Sequence, residues 1–359
     1  MDRNEPGFRP LQGRGATASP PGRFARSRVS QGEDDCDEWP EPAAETRLQP
    51  ELARSIVSRN ESPDIHFRQS INPYRGCEHG CVYCYARPAH AYVDLSPGLD
   101  FETQIYFKDG AAERLREFLA RPRYRCQTIA IGANTDAYQP AEKQLRITRQ
   151  LLEVLHEHRH PVALITKSAL IERDLGLLAE LAAQKLLRVS ISLTTLDPAL
   201  KRALEPRTAS PTRRLRCIET LSAAGVPVTA MLAPVIPGLN EHELDEIVAA
   251  AARAGADSAE YILLRLPHEV RPLFEDWLEK QRPLRARKVM SLVHQFRGGR
   301  ANDPCFGSRM RGEGPLAKLL SQRFAAACRR HGLAQGGRAE LDTSQFRVPG
   351  RPVQAGLFD

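Results

Sequence analysis

The sequence has no long hydrophobic run and no leader-like beginning. Its longest apolar stretch, residues 247–252, is far shorter than the roughly 18–20 residues that cross a bilayer. The first residues lack the positively charged segment followed by an apolar one that is typical of a secretory signal. We therefore expect a cytoplasmic protein with no membrane partner. There the eight cysteines are expected to be reduced or bound to metal, not paired as disulfides.

No internal repeat is evident, and the composition is ordinary. The 359 residues are 42% hydrophobic and 26% charged, which excludes a wholly disordered or collagen-like chain. The length suits two domains, or one large domain with extensions. The formal net charge of +7 is concentrated at residues 280–330, where lysines and arginines greatly outnumber two acidic residues, Asp303 and Glu313.

Composition divides the chain into four parts. Residues 1–60 carry proline-rich, arginine-rich and acidic stretches with few bulky apolar residues, so we expect a mostly disordered arm. Residues 61–270 form the expected core. Residues 271–345 are a basic, mainly helical extension, and residues 346–359 are a mobile tail.

The core alternates short β-branched runs with helical patterns. Strands are predicted at residues 70–75, 128–132, 162–166, 188–193, 228–233 and 261–264. Helices are predicted at residues 141–157, from Pro211 behind the N-cap Ser210, and from the N-cap Asn240 to about Gly255. Strands separated by helices pair in parallel through right-handed crossovers, so six such units predict an α/β barrel, complete or incomplete.

Three cysteines lie directly after the first predicted strand. Cys77, Cys81 and Cys84 have the spacing C-x3-C-x2-C, and Gly76 and Gly80 permit a tight loop around one centre. Ligand sites of parallel α/β sheets collect at the carboxyl ends of strands. Three thiolates suit an iron–sulfur cube with one open iron. A zinc site with His79 as the fourth ligand, or an inert buried role, remains an alternative.

The triplet resembles the signature of radical S-adenosylmethionine (radical SAM) enzymes, over roughly residues 70–267. The segments NPYRGC at 72–77 and YCY at 83–85 are similar to the spore photoproduct lyase branch, whose members are often labelled DNA-repair photolyases. The resemblance implies a partial (β/α)6 TIM-type barrel that binds a 4Fe-4S cluster and S-adenosylmethionine. It also implies reductive cleavage to a 5′-deoxyadenosyl radical, lyase or transferase activity, and an electron donor such as flavodoxin or ferredoxin.

The resemblance also implies cofactor contacts, in the order of the strands. They are Tyr83 near the adenine, Asn134 and Asp136 at the methionine amino group, Lys167 at its carboxylate, Ser190 and Ser192 facing the ribose, and Ile236 within the adenine-contact motif at 234–240. Tyr83 and Tyr85 match tyrosines that relay a hydrogen atom. Each of these residues also has a purely structural interpretation, such as a turn, a surface charge or barrel packing.

One position departs from the branch. Where spore photoproduct lyase has a hydrogen-donor cysteine after the second strand, this chain has Ala133. Repair of a thymine dimer is therefore not predicted, and the substrate stays open.

The basic segment and the tail suggest partners. Cations at 280–330, including Arg285, Arg287 and Arg297, suit contact with nucleic acid, although a solvated surface explains them equally well. The last residues, from Gln354 to Phe358, resemble peptides that dock on bacterial sliding clamps. Alternative functions are a zinc-binding, non-catalytic nucleic-acid module, or a radical SAM enzyme that acts on a small molecule or protein.

Overall fold

A computed structural model describes residues 13–24, 45–53, 55–336 and 341–350. Its strands are β1 (Arg47–Glu51), β2 (Ser58–Arg59), β3 (Gln69–Ile71), β4 (Tyr74–Arg75), β5 (Gln104–Lys108), β6 (Ile129–Ile131), β7 (Val162–Thr166), β8 (Leu187–Ser192), β9 (Val228–Val235), β10 (Ser258–Leu263) and β11 (Ala334–Gln335). Its α-helices are α1 (Asp100–Thr103), α2 (Ala111–Leu119), α3 (Glu142–Leu145), α4 (Ile147–Glu157), α5 (Leu175–Ala183), α6 (Pro198–Leu204), α7 (Pro211–Ala223), α8 (Leu244–Arg253), α9 (Val270–Gln281), α10 (Pro283–Gln295), α11 (Ser308–Arg311) and α12 (Gly314–His331). Short 3-10 helices span Arg87–Val93, Ala169–Asp174 and Glu241–Glu243.

The main sheet is the predicted partial (β/α)6 barrel. Its strand order is β11-β10-β9-β8-β7-β6-β3-β2, and every neighbouring pair except β2 with β3 is parallel. The six strands β3 and β6 to β10 correspond to the six predicted strands. Among the described strands β3 and β10 do not pair, so the barrel is open between its first and sixth strands.

The core lies between this sheet and its helices. In β8, Leu187, Val189 and Ile191 are buried in the hydrophobic core. Because side chains alternate along a strand, Ser190 and Ser192 face the barrel interior instead. The first predicted strand is split, since β3 joins the main sheet while β4 pairs with β5 in a separate sheet of order β1-β5-β4.

Two predicted helices differ from the observed ones. The helix predicted at 141–157 is broken by Arg146, which has a φ of 53°. The Glu142 carboxylate then accepts hydrogen bonds from the backbone N–H groups of Thr148 (3.1 Å) and Arg149 (3.3 Å). It thereby satisfies donors that the first turn of α4 leaves free, so the chain restarts a helix there.

Asn240 occupies the predicted N-cap position, directly before the 3-10 helix Glu241–Glu243 that leads into α8, but its side chain makes no capping hydrogen bond. Its side chain accepts from the backbone N–H of Ile236 at 2.6 Å and donates to the carbonyls of Thr194 and Pro234. It therefore binds the loop after β9 to the loop after β8. The N-cap prediction for Ser210 is confirmed, because its hydroxyl accepts from the Arg213 N–H at 3.2 Å.

Part of the predicted arm packs on the core. The backbone N–H groups of Gly15 and Ala16 donate to the Glu102 carboxylate at 3.0 and 2.7 Å, and β1 pairs with β5. These contacts are made by backbone groups. They could therefore not be predicted from the side-chain composition, in which bulky apolar residues are few.

The C-terminal extension is helical and joins the core. Phe324 and Cys328 of α12 enter the main hydrophobic core, and Val289 of α10 packs in a second cluster with Tyr83. Phe346, at the start of the predicted tail, lies 5.3 Å from the Tyr124 ring, between ring centroids. The tail peptide at residues 354–358 lies outside the described residues. Within the described part of the chain, no helix combines the length and apolar character needed to cross a membrane.

Candidate cofactor site at the carboxyl end of the barrel

The three cysteines lie in the loop that follows β3 and β4. Cys77 and Cys81 are buried, with exposed fractions of 6% and 7%, and Cys84 is half-buried. Gly76 and Gly80 adopt φ angles of 80° and 66°. A Cβ atom on Gly80 would lie 2.7 Å from a Glu102 carboxylate oxygen. The loop path thus requires glycine at this position.

A buried ion pair fixes the end of this loop. The Arg87 guanidinium binds the Glu102 carboxylate at 2.6 Å, and both side chains are fully buried. Arg87 also donates to the backbone carbonyls of Cys81 at 3.0 Å and Gly98 at 2.9 Å. The position of the Cys81 backbone therefore depends on this pair.

The thiol environment suits an iron centre. Burial raises the pKa of Cys77, Cys81 and Cys84, so an isolated thiolate is disfavoured at each position. A cationic metal centre is what stabilises thiolates in such a place. The donor set of three thiols therefore fits a cluster whose fourth iron has no protein ligand.

The geometry does not favour the zinc alternative. The His79 Nδ1 atom lies 3.3 Å from an Asp136 carboxylate oxygen, so this ring nitrogen is engaged by a carboxylate. Across the described ranges, no group of three or more His, Cys, Asp or Glu side chains surrounds a single ion position. This absence does not count against an iron–sulfur cluster. Zinc needs all its ligands around one ion, whereas each thiolate of a cluster binds a separate iron.

A buried polar network that the sequence did not indicate adjoins Cys81. Its centre is the Glu205 carboxylate, which accepts hydrogen bonds from the hydroxyls of Tyr83 and Thr194 and forms an ion pair with Arg214. The Lys167 Nζ lies 3.7 Å from Glu205 and 6.0 Å from the centroid of the Tyr83 ring. Burial alone would raise the pKa of Glu205, but Arg214 and Lys167 hold it well below its usual range. The network thus contains a permanent anion between two cations.

The predicted residues after β6 divide into two groups. Asp136 is engaged within the protein, because its carboxylate accepts from the Thr166 hydroxyl at 2.6 Å and the Lys167 backbone N–H at 2.7 Å. Asn134 is exposed, and its backbone N–H donates to the Asn72 side chain at 3.0 Å. Asp136 therefore links the loop after β6 to the loop after β7, and Asn134 is the more accessible of the two.

The remaining predicted contacts lie on the strands that follow. Ser192 is 3% exposed and Ser190 is half-buried, both on the interior face of β8. Ile236 is fully buried in one hydrophobic cluster with Cys81 and Tyr83. The cysteine loop and the motif at 234–240, distant in sequence, thus meet in one cluster.

Tyr85 bridges the mouth of the barrel. Its ring is 43% exposed, and its hydroxyl donates to the backbone carbonyl of Ala133. The Arg265 guanidinium carbon, from the segment after β10, lies 5.4 Å from the Tyr85 ring centroid. Tyr85 therefore touches both the second and the sixth strand units.

The basic segment is less uniformly exposed than its charge suggests. Arg285, Arg287 and Lys288 are exposed on α10. Including Arg297 among the nucleic-acid contacts was wrong: it is fully buried, and its guanidinium donates to the Leu264 carbonyl. Backbone carbonyls of the loop after β10 accept hydrogen bonds from Arg297. The charge pattern of the sequence does not indicate these acceptors.

The family of the chain follows from comparison with known proteins. Residues 71–251 match the family described as the Radical SAM superfamily. The chain belongs to this superfamily, and its cofactors are a 4Fe-4S cluster and S-adenosylmethionine. Enzymes of this family need an electron donor.

The relatives in sequence carry no functional description. An uncharacterized protein of Mycobacterium tuberculosis is 37% identical over 297 residues, covering 82% of this chain and 83% of the relative. An uncharacterized protein of Methanocaldococcus jannaschii is 27% identical over 173 residues, covering 48% of this chain and 62% of the relative.

Solved structures show a similar fold at low identity. Spore photoproduct lyase complexed with dinucleoside spore photoproduct has a TM-score of 0.59 at 16% identity, covering 80% of this chain and 81% of that chain. A variant of that enzyme with bound AdoMet and dinucleoside spore photoproduct has a TM-score of 0.57, with the same identity and coverage. These likenesses confirm the fold expected from the resemblance. They do not support the predicted clamp partner.

Proposed function

We propose that this chain abstracts a hydrogen atom from a nucleic-acid substrate, with Cys77, Cys81 and Cys84 as the three cluster ligands. When bound, the cluster and S-adenosylmethionine supply a 5′-deoxyadenosyl radical from one electron, delivered by a donor such as flavodoxin or ferredoxin. The observation that carries the proposal is the convergence of three buried or half-buried thiols with Tyr83 and Ile236 at the carboxyl end of the barrel.

The chain's own residues would position the cofactor. Lys167 lies at the end of β7, is only 16% exposed, and faces the Tyr83 ring. Its ammonium is fixed by the Glu205 carboxylate and by the Ala233 carbonyl at 3.1 Å. A preorganised cation in a water-poor site binds a carboxylate strongly, so we assign Lys167 to the methionine carboxylate.

Other residues complete the pocket. Asn134 and the interior face of β8, with Ser190 and Ser192, provide polar groups for the amino group and the ribose. Ile236 provides an apolar wall for the adenine. We assign Asp136 a supporting role, because its two oxygens already bind protein donors.

A nucleic-acid substrate is supported by the placement of charge. Val289 and Val293 of α10 pack in the hydrophobic cluster that contains Cys81 and Tyr83. The same helix carries the exposed cations Arg285 and Lys288, and we infer that these cations meet the phosphate backbone of the substrate. The two solved spore photoproduct lyase structures described above contain a dinucleoside spore photoproduct, which agrees with this class of substrate.

Hydrogen transfer tests the proposal. The reconstituted protein would be incubated anaerobically with S-adenosylmethionine, a reductant and deuterated DNA or RNA oligonucleotides. We expect deuterium in 5′-deoxyadenosine, detected by mass spectrometry, and its loss in Lys167→Gln. Cleavage of the cofactor without transfer from any oligonucleotide, but with transfer from a labelled peptide or metabolite, would contradict the nucleic-acid assignment.

A further inference from the structure

Arg265 lies at the carboxyl end of the sixth barrel strand, beside the cysteine loop. It lies two residues after the end of β10, and its guanidinium carbon is 5.4 Å from the ring centroid of Tyr85, the residue after Cys84. Among the described strands, β3 and β10 do not pair, and Arg265 follows β10, the sixth barrel strand, on one side of this opening.

The hydrogen-bonding capacity of Arg265 is largely unused. Its Nε atom is buried and has no hydrogen-bond partner in the described part of the chain. Its Nη1 atom contacts only a weak acceptor, the Met310 sulfur at 3.9 Å. Arg265 also forms no ion pair with any described carboxylate. A desolvated cation without acceptors costs free energy, so this arrangement suits a site completed by an external anion.

An acidic group that acts electrostatically on Arg265, Asp64, is committed elsewhere. The Asp64 carboxylate binds the Arg309 guanidinium and accepts from the Gly307 backbone N–H. Arg309 in turn lies over Phe306, with 4.5 Å from its guanidinium carbon to the ring centroid. Phe306 is 59% exposed. The half-buried Arg265 is therefore a neighbour of a second cation, Arg309, and the exposed Phe306 ring lies against Arg309.

We propose that Arg265 binds a backbone phosphate of a single-stranded or locally unpaired nucleic acid, and that the Phe306 ring stacks on a neighbouring base. A guanidinium donates two parallel hydrogen bonds to a phosphate, and an exposed ring stacks on any base. The inference rests on the proposed nucleic-acid function and specifies which surface receives the strand.

Salt-dependent binding tests this assignment. The full chain with its cluster would be titrated with a fluorescein-labelled single-stranded oligonucleotide at 50–200 mM KCl, with anisotropy as the readout. We expect Arg265→Gln to weaken binding about tenfold and to reduce the slope of log affinity against log salt by about 0.7, the contribution of one phosphate on a single strand.

A matched control removes the same charge elsewhere. Arg213→Gln on α7 breaks an ion pair with Glu172 on the outer surface, and binding should stay within twofold of the unsubstituted protein. Equal affinity and slope for Arg265→Gln and Arg213→Gln would overturn the role of Arg265 and leave the proposed function intact. An unsubstituted protein that binds no oligonucleotide at any salt would overturn both.

A conservative variant keeps the test decisive if Arg265→Gln does not fold. Arg265→Lys retains the charge but not the planar fork, so the salt slope should persist while affinity falls about threefold or more. Unchanged affinity in Arg265→Lys would contradict phosphate binding through the fork.

Discussion

Breaking the ion pair between Arg87 and Glu102 tests most directly how the fold holds the cysteine loop in place. Both side chains are fully buried, and Glu102 also accepts from the backbone of Gly15 and Ala16. Glu102→Gln keeps the shape but leaves the Arg87 cation without its counter-charge. Breaking a buried pair in this way typically costs about 3–5 kcal/mol.

Thermal unfolding measures this cost. We expect the melting temperature of Glu102→Gln to fall by about 4 °C or more, since roughly 1–2 °C accompanies each kcal/mol in a chain of 359 residues. The control is Glu157→Gln, which breaks the exposed pair with Arg116, whose side chains are 45% and 46% exposed. Exposed pairs contribute at most about 1 kcal/mol, so this variant should melt near the unsubstituted protein.

Glu102→Gln should also have a local effect on the N-terminal segment. Because Glu102 binds the segment around Gly15, its loss should expose that segment to limited proteolysis at temperatures where the core stays folded. Melting of Glu102→Gln within 2 °C of Glu157→Gln, with no new cleavage, would refute the structural role of this pair.

Three further predictions concern folding. The His160 Nε2 atom lies 2.6 Å from the Tyr124 hydroxyl, and burial lowers the pKa of His160 to about 4, so the unfolded chain binds a proton first as the pH falls. Through His160, the free energy of unfolding should be about 2 kcal/mol lower at pH 5 than at pH 7, and His160→Asn should reduce this difference in urea titrations. Ser210→Ala removes the N-cap of α7 and should lower the same free energy by about 1 kcal/mol, whereas Ser210→Asp should retain it. Gly132→Ala should sharply reduce the yield of folded protein, because its φ is 87° and the new Cβ would lie 2.3 Å from the Ile165 carbonyl oxygen; normal yield and melting would contradict the strand spacing described for β6 and β7.

The sequence was informative where structure follows local pattern. The six barrel strands and the Ser210 cap were predictable, because alternation of buried residues and capping chemistry are encoded within a few neighbouring positions. The cysteine loop was located for the same reason, since its three thiols and Gly80 lie within eight residues of each other.

Features that depend on distant contacts were not predictable. No motif in the sequence predicts that Glu205 contacts Tyr83 and Arg214. These side chains meet only because the loops after several strands converge. Arg146 adopts a positive φ that its residue type does not announce. Arg297 was assigned to the surface because charge counting does not show that backbone carbonyls surround its guanidinium.

The most direct test of the central claim is loss of the cluster when one thiol is removed. After anaerobic reconstitution, the protein should hold about four irons per chain and form 5′-deoxyadenosine from S-adenosylmethionine with a reductant. Cys81→Ala should lose both properties, whereas Cys305→Ala, which removes an exposed thiol outside the loop, should keep both. Retention of iron and cofactor cleavage in Cys81→Ala, or a colourless protein with bound zinc, would contradict the account.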